Sequence, residues 1–234
     1  MDKNFLKTIL DRLSKMGCHE ADVFLSKSKT SSCSSRLGKI EKKEESSTNE
    51  IGIRAIINKK QSIVSTTNLE KQNVYNLAEK VVEMAKVVPE NQYCGLAESD
   101  KIKQVSKQEV QKLEICDTYE PTMSLIEKEV IKLEESALDN KEITNSEGAE
   151  IAYSKNSICL LGSNGLEIEM EKTHSDFIIA VLAGSKDSME REYDYKSKVF
   201  YNDLGDFEKI GKEVSQNAIK KLNSRKLKTC KSDV

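Results

Sequence analysis

The chain has 234 residues, and its 37 basic side chains nearly cancel 39 acidic ones, leaving a formal charge of −2. That balance excludes bulk attraction to nucleic acid or to an anionic membrane, and the length suffices for a core that needs no covalent staple. Six widely spaced cysteines (Cys18, Cys33, Cys94, Cys116, Cys159, Cys230) and a first segment interrupted by Asp2, Lys3, Lys7 and Asp11 predict free thiols, no export signal and a cytoplasmic protein.

Leu6, Ile9, Leu10, Leu13 and Met16 recur at helical spacing and stop at Gly17. Alternation follows, with Ala21, Val23 and Leu25 on one strand face and a Ser-rich extended segment from Ser28 to Arg36. Arg36-Leu37-Gly38-Lys39 reads as a turn into a polar strand at Ile40–Glu45. Ile51, Ile53, Ala55 and Ile57 alternate, turn at Asn58-Lys59-Lys60 and return through Ile63 to Ser65. Asn68 is placed as the cap of a helix carrying Val74, Leu77, Val81, Met84, Ala85 and Val88, which Pro89 ends.

Residues 90–104 read as irregular. Ser106 and Glu109 form a capping box before Val110 and Leu113, and a helix beginning near Pro121 carries Ile126, Val130, Leu133 and Ala137. Separate strands are predicted near Ile143, at Ile151–Tyr153 and at Ile158–Leu161, before the hairpin signal Ser163-Asn164-Gly165. Strands at Glu167–Ala183 and Arg191–Tyr201 precede a last helix with Phe207, Ile210, Val214, Ala218 and Leu222. The longest apolar run, Phe177–Ala183, is strand-sized and far short of the ~18 residues of a membrane span. The order predicts an α+β fold, with antiparallel sheet built from hairpins and helices packed on one side. No repeat, linker or internal boundary shows.

Catalytic chemistry is hard to assemble from these residues. The two histidines, His19 and His174, are far apart, and Val23 and Phe24 stand where a zinc-binding helix starting at His19-Glu20 would need its second histidine. His19 therefore reads as a surface histidine and His174 as a structural one. No Cys-x-x-Cys pair exists, Cys159 reads as a core thiol, and Gly162–Gly165 lacks the lysine and the following helix of a phosphate loop. The pairs Glu44-Glu45, Glu134-Glu135 and Glu190 with Glu192 are assigned to exposed faces. The basic cluster Lys220, Lys221, Arg225, Lys226, Lys228 and Lys231 reads as a solvated helix end. No catalytic or metal-ligating residue is assigned, and no substrate-binding residue can be named.

The order of certain segments carries more information than their chemistry. Gly17 with Ala21-Asp22-Val23, then Arg36-Leu37-Gly38-Lys39-Ile40-Glu41, Gly52-Ile53-Arg54-Ala55 and Ser65-Thr66-Thr67-Asn68-Leu69 come first. Ala85-Lys86, Pro89 and Tyr93-Cys94-Gly95-Leu96-Ala97 follow. Later come Ile143-Thr144-Asn145-Ser146-Glu147-Gly148, then Met189-Glu190-Arg191 with Tyr193 and Tyr195, and finally Ser224–Thr229. The series resembles the TldD/PmbA metalloprotease family, on its PmbA side.

The resemblance implies two homologous subunits of a cytoplasmic metalloprotease that degrades or trims unfolded peptides. The associated roles are maturation of a peptide antibiotic, antitoxin turnover and an older label as gyrase modulator. It further implies that residues 1–234 are an N-terminal domain, that the C-terminal half with the family's metal-site region is absent, and that zinc belongs only to a TldD-like partner. No residue of the family's metal site can be carried onto this chain. The expected partners are a TldD-like subunit or a separately encoded C-terminal half, and an unfolded peptide; membrane and nucleic acid are not expected. A stand-alone peptide-binding module and an inactive gene fragment are the alternatives. The apolar strands Ile158–Leu161 and Phe177–Leu182 are expected to border a surface that a partner covers.

Overall fold

A computed structural model describes residues 3–185, 188–225 and 228–231. The elements are α1 (Lys3–Lys15), β1 (Glu20–Arg36), β2 (Lys39–Ile57), β3 (Lys60–Thr66), α2 (Lys71–Val87), α3 (Lys107–Gln111) and α4 (Met123–Leu138). They continue with β4 (Ile143–Gly162), β5 (Glu167–Ala183), β6 (Glu190–Lys198) and α5 (Phe207–Lys221). The six strands form one antiparallel sheet in the order β3-β2-β1-β4-β5-β6, so the fold is α+β.

Two tight turns set the first three strands. Leu37 (φ 52°) with Gly38 (φ 74°), and Asn58 (φ 49°) with Lys59 (φ 62°), hold consecutive positive φ angles. Such turns match the twist of the strands that they join. The second turn places Ile53 opposite Val64 and Ala55 opposite Ser62.

The chain parts into two compact units. The first comprises Met1–Thr30, Ser46–Asp117 and Ser154–Thr173. Its core sets Leu6, Ile9 and Leu13 of α1 and Val74, Ala78 and Val81 of α2 against alternate residues of β1 (Ala21, Val23, Leu25) and β2 (Ile51, Ile53, Ala55). The second comprises Ser31–Glu45, Thr118–Tyr153 and His174–Val234. There Val130, Leu133 and Ala137 of α4 and Phe207, Val214 and Ala218 of α5 pack on Phe177, Ile179 and Val181 of β5 and Ala149, Ile151 and Tyr153 of β4. Strands β1, β2, β4 and β5 each contribute to both units, so no linker composition marks the division.

Several sequence expectations need correction. The three short strands expected between Ile143 and Leu161 are one strand of 20 residues. Its polar middle is held by ladder pairing, which a hydropathy pattern does not report. Likewise the polar stretch 39–50 joins Ile51–Ile57 in a single strand. Asn68 is not the cap of α2: that position is Glu70, whose N–H donates to Asn68 Oδ1 at 3.0 Å, so Asn68 forms the turn before the helix. Met84 is exposed, and the buried stripe of α2 runs instead through Ala78 and Val82. The capping box of α3 and the Thr122 cap of α4 are present, the latter one residue after Pro121.

Candidate functional site

The histidines do not form a catalytic set. His19 is exposed just before β1. His174 lies on β5 beside Asp176 and Ser197, a group that superficially suggests a relay. Asp176 Oδ1 is 3.4 Å from His174 Nε2, and Ser197 Oγ lies 3.4 Å from that nitrogen and 3.5 Å from Nδ1. A Ser-His-Asp relay needs carboxylate and hydroxyl on opposite ring nitrogens through short, directed hydrogen bonds; here the hydroxyl favours neither nitrogen and all three contacts are long. Burial pushes the Asp176 carboxyl up, and the neighbouring His174 opposes that shift.

The thiols are equally quiet. All six cysteines are free, and burial pushes the thiols of Cys18, Cys33, Cys116 and Cys159 up, away from the nucleophilic thiolate. Cys159 is half-buried against the first core. Thermal melts with and without reductant are therefore expected to coincide. A loss of about 2–4 kcal/mol on reduction, the size of a native disulfide, would contradict this.

What the fold does bring together is the set of segments singled out in the sequence. In the second unit, the Leu37 and Gly38 N–H groups donate to Glu134 Oε1 and Oε2 at 2.8 and 3.1 Å, and Ser146 Oγ donates to Oε1 at 2.5 Å. Arg36 Nε donates to the Ser146 carbonyl at 3.2 Å, and the Gly148 N–H donates to Ser146 Oγ at 2.9 Å. Arg191 grips Glu147 with three N–H···O contacts of 2.8–3.0 Å. The first unit has its own version: Arg54 Nε donates to Asp22 Oδ2 at 3.0 Å across the strands, and the Leu96 N–H donates to Glu20 Oε1 at 3.2 Å. These contacts tie turns and strand ends to helices and loops. They position backbone; none aims a nucleophile or base at open space.

Glu134 corrects its assignment to an exposed face: it is 0% exposed, while Glu135 beside it is exposed. Its spacing of four from Val130 already puts it on the inner stripe of α4. In the basic cluster, Lys221 pairs with Glu192 and Lys220 donates to Asn217. Arg225, Lys228 and Lys231 are exposed, and Lys226 lies outside the described residues.

The side of β5–β6 turned away from the helices carries an exposed apolar strip between the polar groups Asp176, Ser197 and Arg191. Pairing puts Ile178 opposite Tyr195 and Ala180 opposite Tyr193. Ile178 is 47% exposed, Tyr193 51% and Tyr195 67%, and the two tyrosine rings stack at 6.3 Å. Of the two apolar strands expected to border a partner surface, Phe177–Leu182 thus has Phe177, Ile179 and Val181 under helices and Ile178 bare. In Ile158–Leu161 the first three residues are half-buried and Leu161 is buried.

Residues 21–85 match the family profile described as PmbA/TldA metallopeptidase domain 1, and residues 100–222 match the PmbA/TldA metallopeptidase central domain. The chain belongs to the PmbA/TldD metallopeptidase family. Within it, the chain is similar to metalloprotease PmbA of Escherichia coli O157:H7, at 25% identity over 92% of this chain and 47% of that protein. A PmbA homolog of Buchnera aphidicola subsp. Acyrthosiphon pisum is 26% identical over 99% of this chain and 51% of its own length.

Among solved structures, a protein described as a modulator of DNA gyrase from Bacteroides thetaiotaomicron superposes with a TM-score of 0.82 at 19% identity, covering 96% of this chain and 51% of that one. TldE from Thermococcus kodakarensis gives 0.75 at 18% identity, covering 92% and 47%. The PmbA/TldD fold is thus shared. The chain spans about half the length of the curated relatives that it matches.

Membership of a PmbA/TldD metallopeptidase family implies a metal in the family. The donors described here do not fit one. A zinc site needs at least three converging nitrogen, sulfur or carboxylate ligands, and among the described residues no such group of His, Cys, Asp and Glu exists. No helix among them is long and apolar enough to cross a membrane.

Proposed function

We propose that this chain is the PmbA-like, non-catalytic component of a cytoplasmic TldD/PmbA-type metalloprotease that acts on unfolded peptides, in peptide maturation or antitoxin degradation. Residues 1–234 serve as its N-terminal domain, and zinc and bond cleavage belong to a TldD-like subunit. The observation that carries this reading is the combination of family membership with a donor set that, among the described residues, does not converge on a metal. The open Ile178–Tyr193–Tyr195 face supports it, because an apolar patch rimmed by polar groups is the usual mark of a protein contact. Either a TldD-like subunit or a separately encoded C-terminal half is the partner in this reading.

The test is reconstitution. The purified chain alone should bind no stoichiometric zinc and cleave no unfolded peptide, whereas mixing with a TldD-like subunit should give a complex with metal-dependent peptidase activity. One-to-one zinc with peptidase activity in the isolated chain would overturn the proposal.

A second reading, a stand-alone peptide-binding module, has one observation in its favour. Strand β3 pairs only with Ile51–Ile57 of β2, and Lys39–Glu50 are exposed along their length. An extended peptide can add to such an edge through main-chain hydrogen bonds. Saturable binding of an unfolded peptide without any partner subunit would favour this module.

A further inference from the structure

The geometry points to a second interface, in which the edge of β6 pairs antiparallel with β6 of a second copy about a two-fold axis at Tyr195. Strand β6 closes the sheet order, and among the described residues no strand lies beyond it. In an antiparallel strand the backbone groups of alternate residues point to opposite edges. The Arg191 carbonyl accepts from Lys221 Nζ at 3.2 Å and the Tyr195 N–H donates to its neighbour Asp194 Oδ1 at 2.8 Å. The Gly184 N–H at the end of β5 donates to the Glu142 carbonyl at 2.8 Å, so even-numbered positions of β5 face β4 and odd-numbered ones face β6. The register pairs these with even-numbered residues of β6, so its odd-numbered residues direct their N–H and C=O outward. Arg191 is tied to α5 through Lys221, which leaves Tyr193, Tyr195 and Ser197 as the segment open to pairing.

Charge decides what fits there. The even-numbered residues share the helix-side face and read Glu190, Glu192, Asp194, Lys196, Lys198: acid first, base last. A parallel copy would set like against like. An antiparallel copy reverses the order and sets acid against base, which is the favourable cross-strand arrangement.

A two-fold axis perpendicular to the sheet keeps each side chain on its own face, so residues pair odd with odd and even with even. Four central registers, from Tyr193 to Lys196, satisfy this rule, and centring on Lys196 sets that lysine against its own copy. Centring on Tyr193 sets Glu192 against Asp194, and centring on Asp194 sets that carboxylate against its own copy. Centring on Tyr195 sets Glu192 opposite Lys198 and Asp194 opposite Lys196, each twice, with no like-charge pair.

The opposite face agrees with that register. Tyr195 meets Tyr195 of the second copy, and Ile178 behind each ring continues the apolar strip across the join. Asp194 then exchanges its hold on the Tyr195 N–H for Lys196 of the second copy, which leaves the Leu204 carbonyl that it meets at 2.8 Å. Glu192 turns from Lys221 to Lys198 of the second copy, and the Tyr195 N–H is freed for the ladder. The Asp194 contact therefore acts as a weak guard on the edge of the monomer.

Sedimentation of the full chain over a concentration series tests the inference. The native chain should dimerise. Glu192→Lys and Lys198→Glu should each weaken the dimer on the order of tenfold or more, because each places two like-charge pairs across the join. Mixed in equal amounts, the two variants should restore it, since the lysine introduced in one then faces the glutamate introduced in the other. Tyr195→Pro, which removes an outward N–H but no bond to β5, should abolish pairing while the far-ultraviolet circular dichroism stays native. A native chain that stays monomeric, or one whose dimer ignores both charge variants, overturns the proposal. Failure of the mixture to recover the dimer overturns this register.

Discussion

Gly211→Ala is expected to destabilise the chain by about 2–3 kcal/mol, a fall in melting temperature on the order of 5–10 °C for a protein of this length. Alanine is ordinarily the better helix former, by ~1 kcal/mol, so the expected sign is opposite to the propensity. The reason is the contact between α4 and α5. A Cβ on Gly211 would lie 2.1 Å from Ser136 Oγ, 2.3 Å from the Leu133 carbonyl oxygen and 3.0 Å from the Ala137 nitrogen. Serine can rotate away, but the Leu133 and Ala137 atoms are backbone, and relief requires the two helices to separate. Separation loosens Leu133, Ala137, Val214 and Ala218, which share one core.

Gly52→Ala is the matched control: the nearest atom to its Cβ would be the Val64 carbonyl oxygen at 4.0 Å, an ordinary contact. It should leave the melting temperature within about 2 °C of the native value, as surface-like substitutions do. Equal effects at the two glycines would show that helix packing at Gly211 is not the cause.

The contrast between Gly211 and the rest of α5 shows what the sequence made legible. The stripe Phe207, Ile210, Val214, Ala218 and Leu222 follows from period alone, and the structure buries the first four and leaves Leu222 half-buried as the residue that ends the helix. Gly211 lies next to that stripe, but nothing in one sequence says that a second helix backbone will come within reach of it. Strands behaved in the same way. Alternation located Ile51–Ile57 and the ends of β4, because one face of each meets a helix. It missed the joins, at residues 46–50 of β2 and at 144–150 and 154–157 of β4, where mostly polar residues are held in a strand by neighbours on the ladder. Pairing is a property of two segments, and a pattern read along one segment does not contain it.

The candidate site was legible in a different sense. Arg36, Ser146, Glu147 and Arg191 belong to the segments that carry the family resemblance, yet their chemistry in isolation pointed to no function. Folded, they meet through Arg36 on Ser146 and Arg191 on Glu147. The residue that joins the first of these contacts to α4 was the one placed on the wrong face. Glu134 looked solvated because it stands beside Glu135, and doubled carboxylates are usually exposed.

Glu134→Leu is accordingly expected to cost about 2–3 kcal/mol, although it replaces a buried charge with a buried hydrocarbon of similar size. Removing an unpaired buried carboxylate would normally help. Here the carboxylate accepts from three donors, and Leu37 depends on it in a second way. Its φ of 52° is a left-handed conformation that a leucine adopts at a cost on the order of 1–2 kcal/mol. The turn holds because its two adjacent N–H groups point at one carboxylate. With leucine at 134, those N–H groups and the buried Ser146 hydroxyl lose their acceptor, and the strained turn loses the contact that offsets it.

Glu134→Gln should fall between the native chain and Glu134→Leu, since the amide keeps one acceptor oxygen and presents a donor to another donor. Denaturant unfolding should rank the three forms in that order. Hydrogen exchange adds the local signature: the Leu37 and Gly38 amides should exchange faster in both variants, while the Ile53 and Ala55 amides of the other unit change less. If Glu134→Leu matches the native chain in stability and in exchange at Leu37, the carboxylate does not hold the β1–β2 turn on α4, and the shared segments around Ser146 need another explanation.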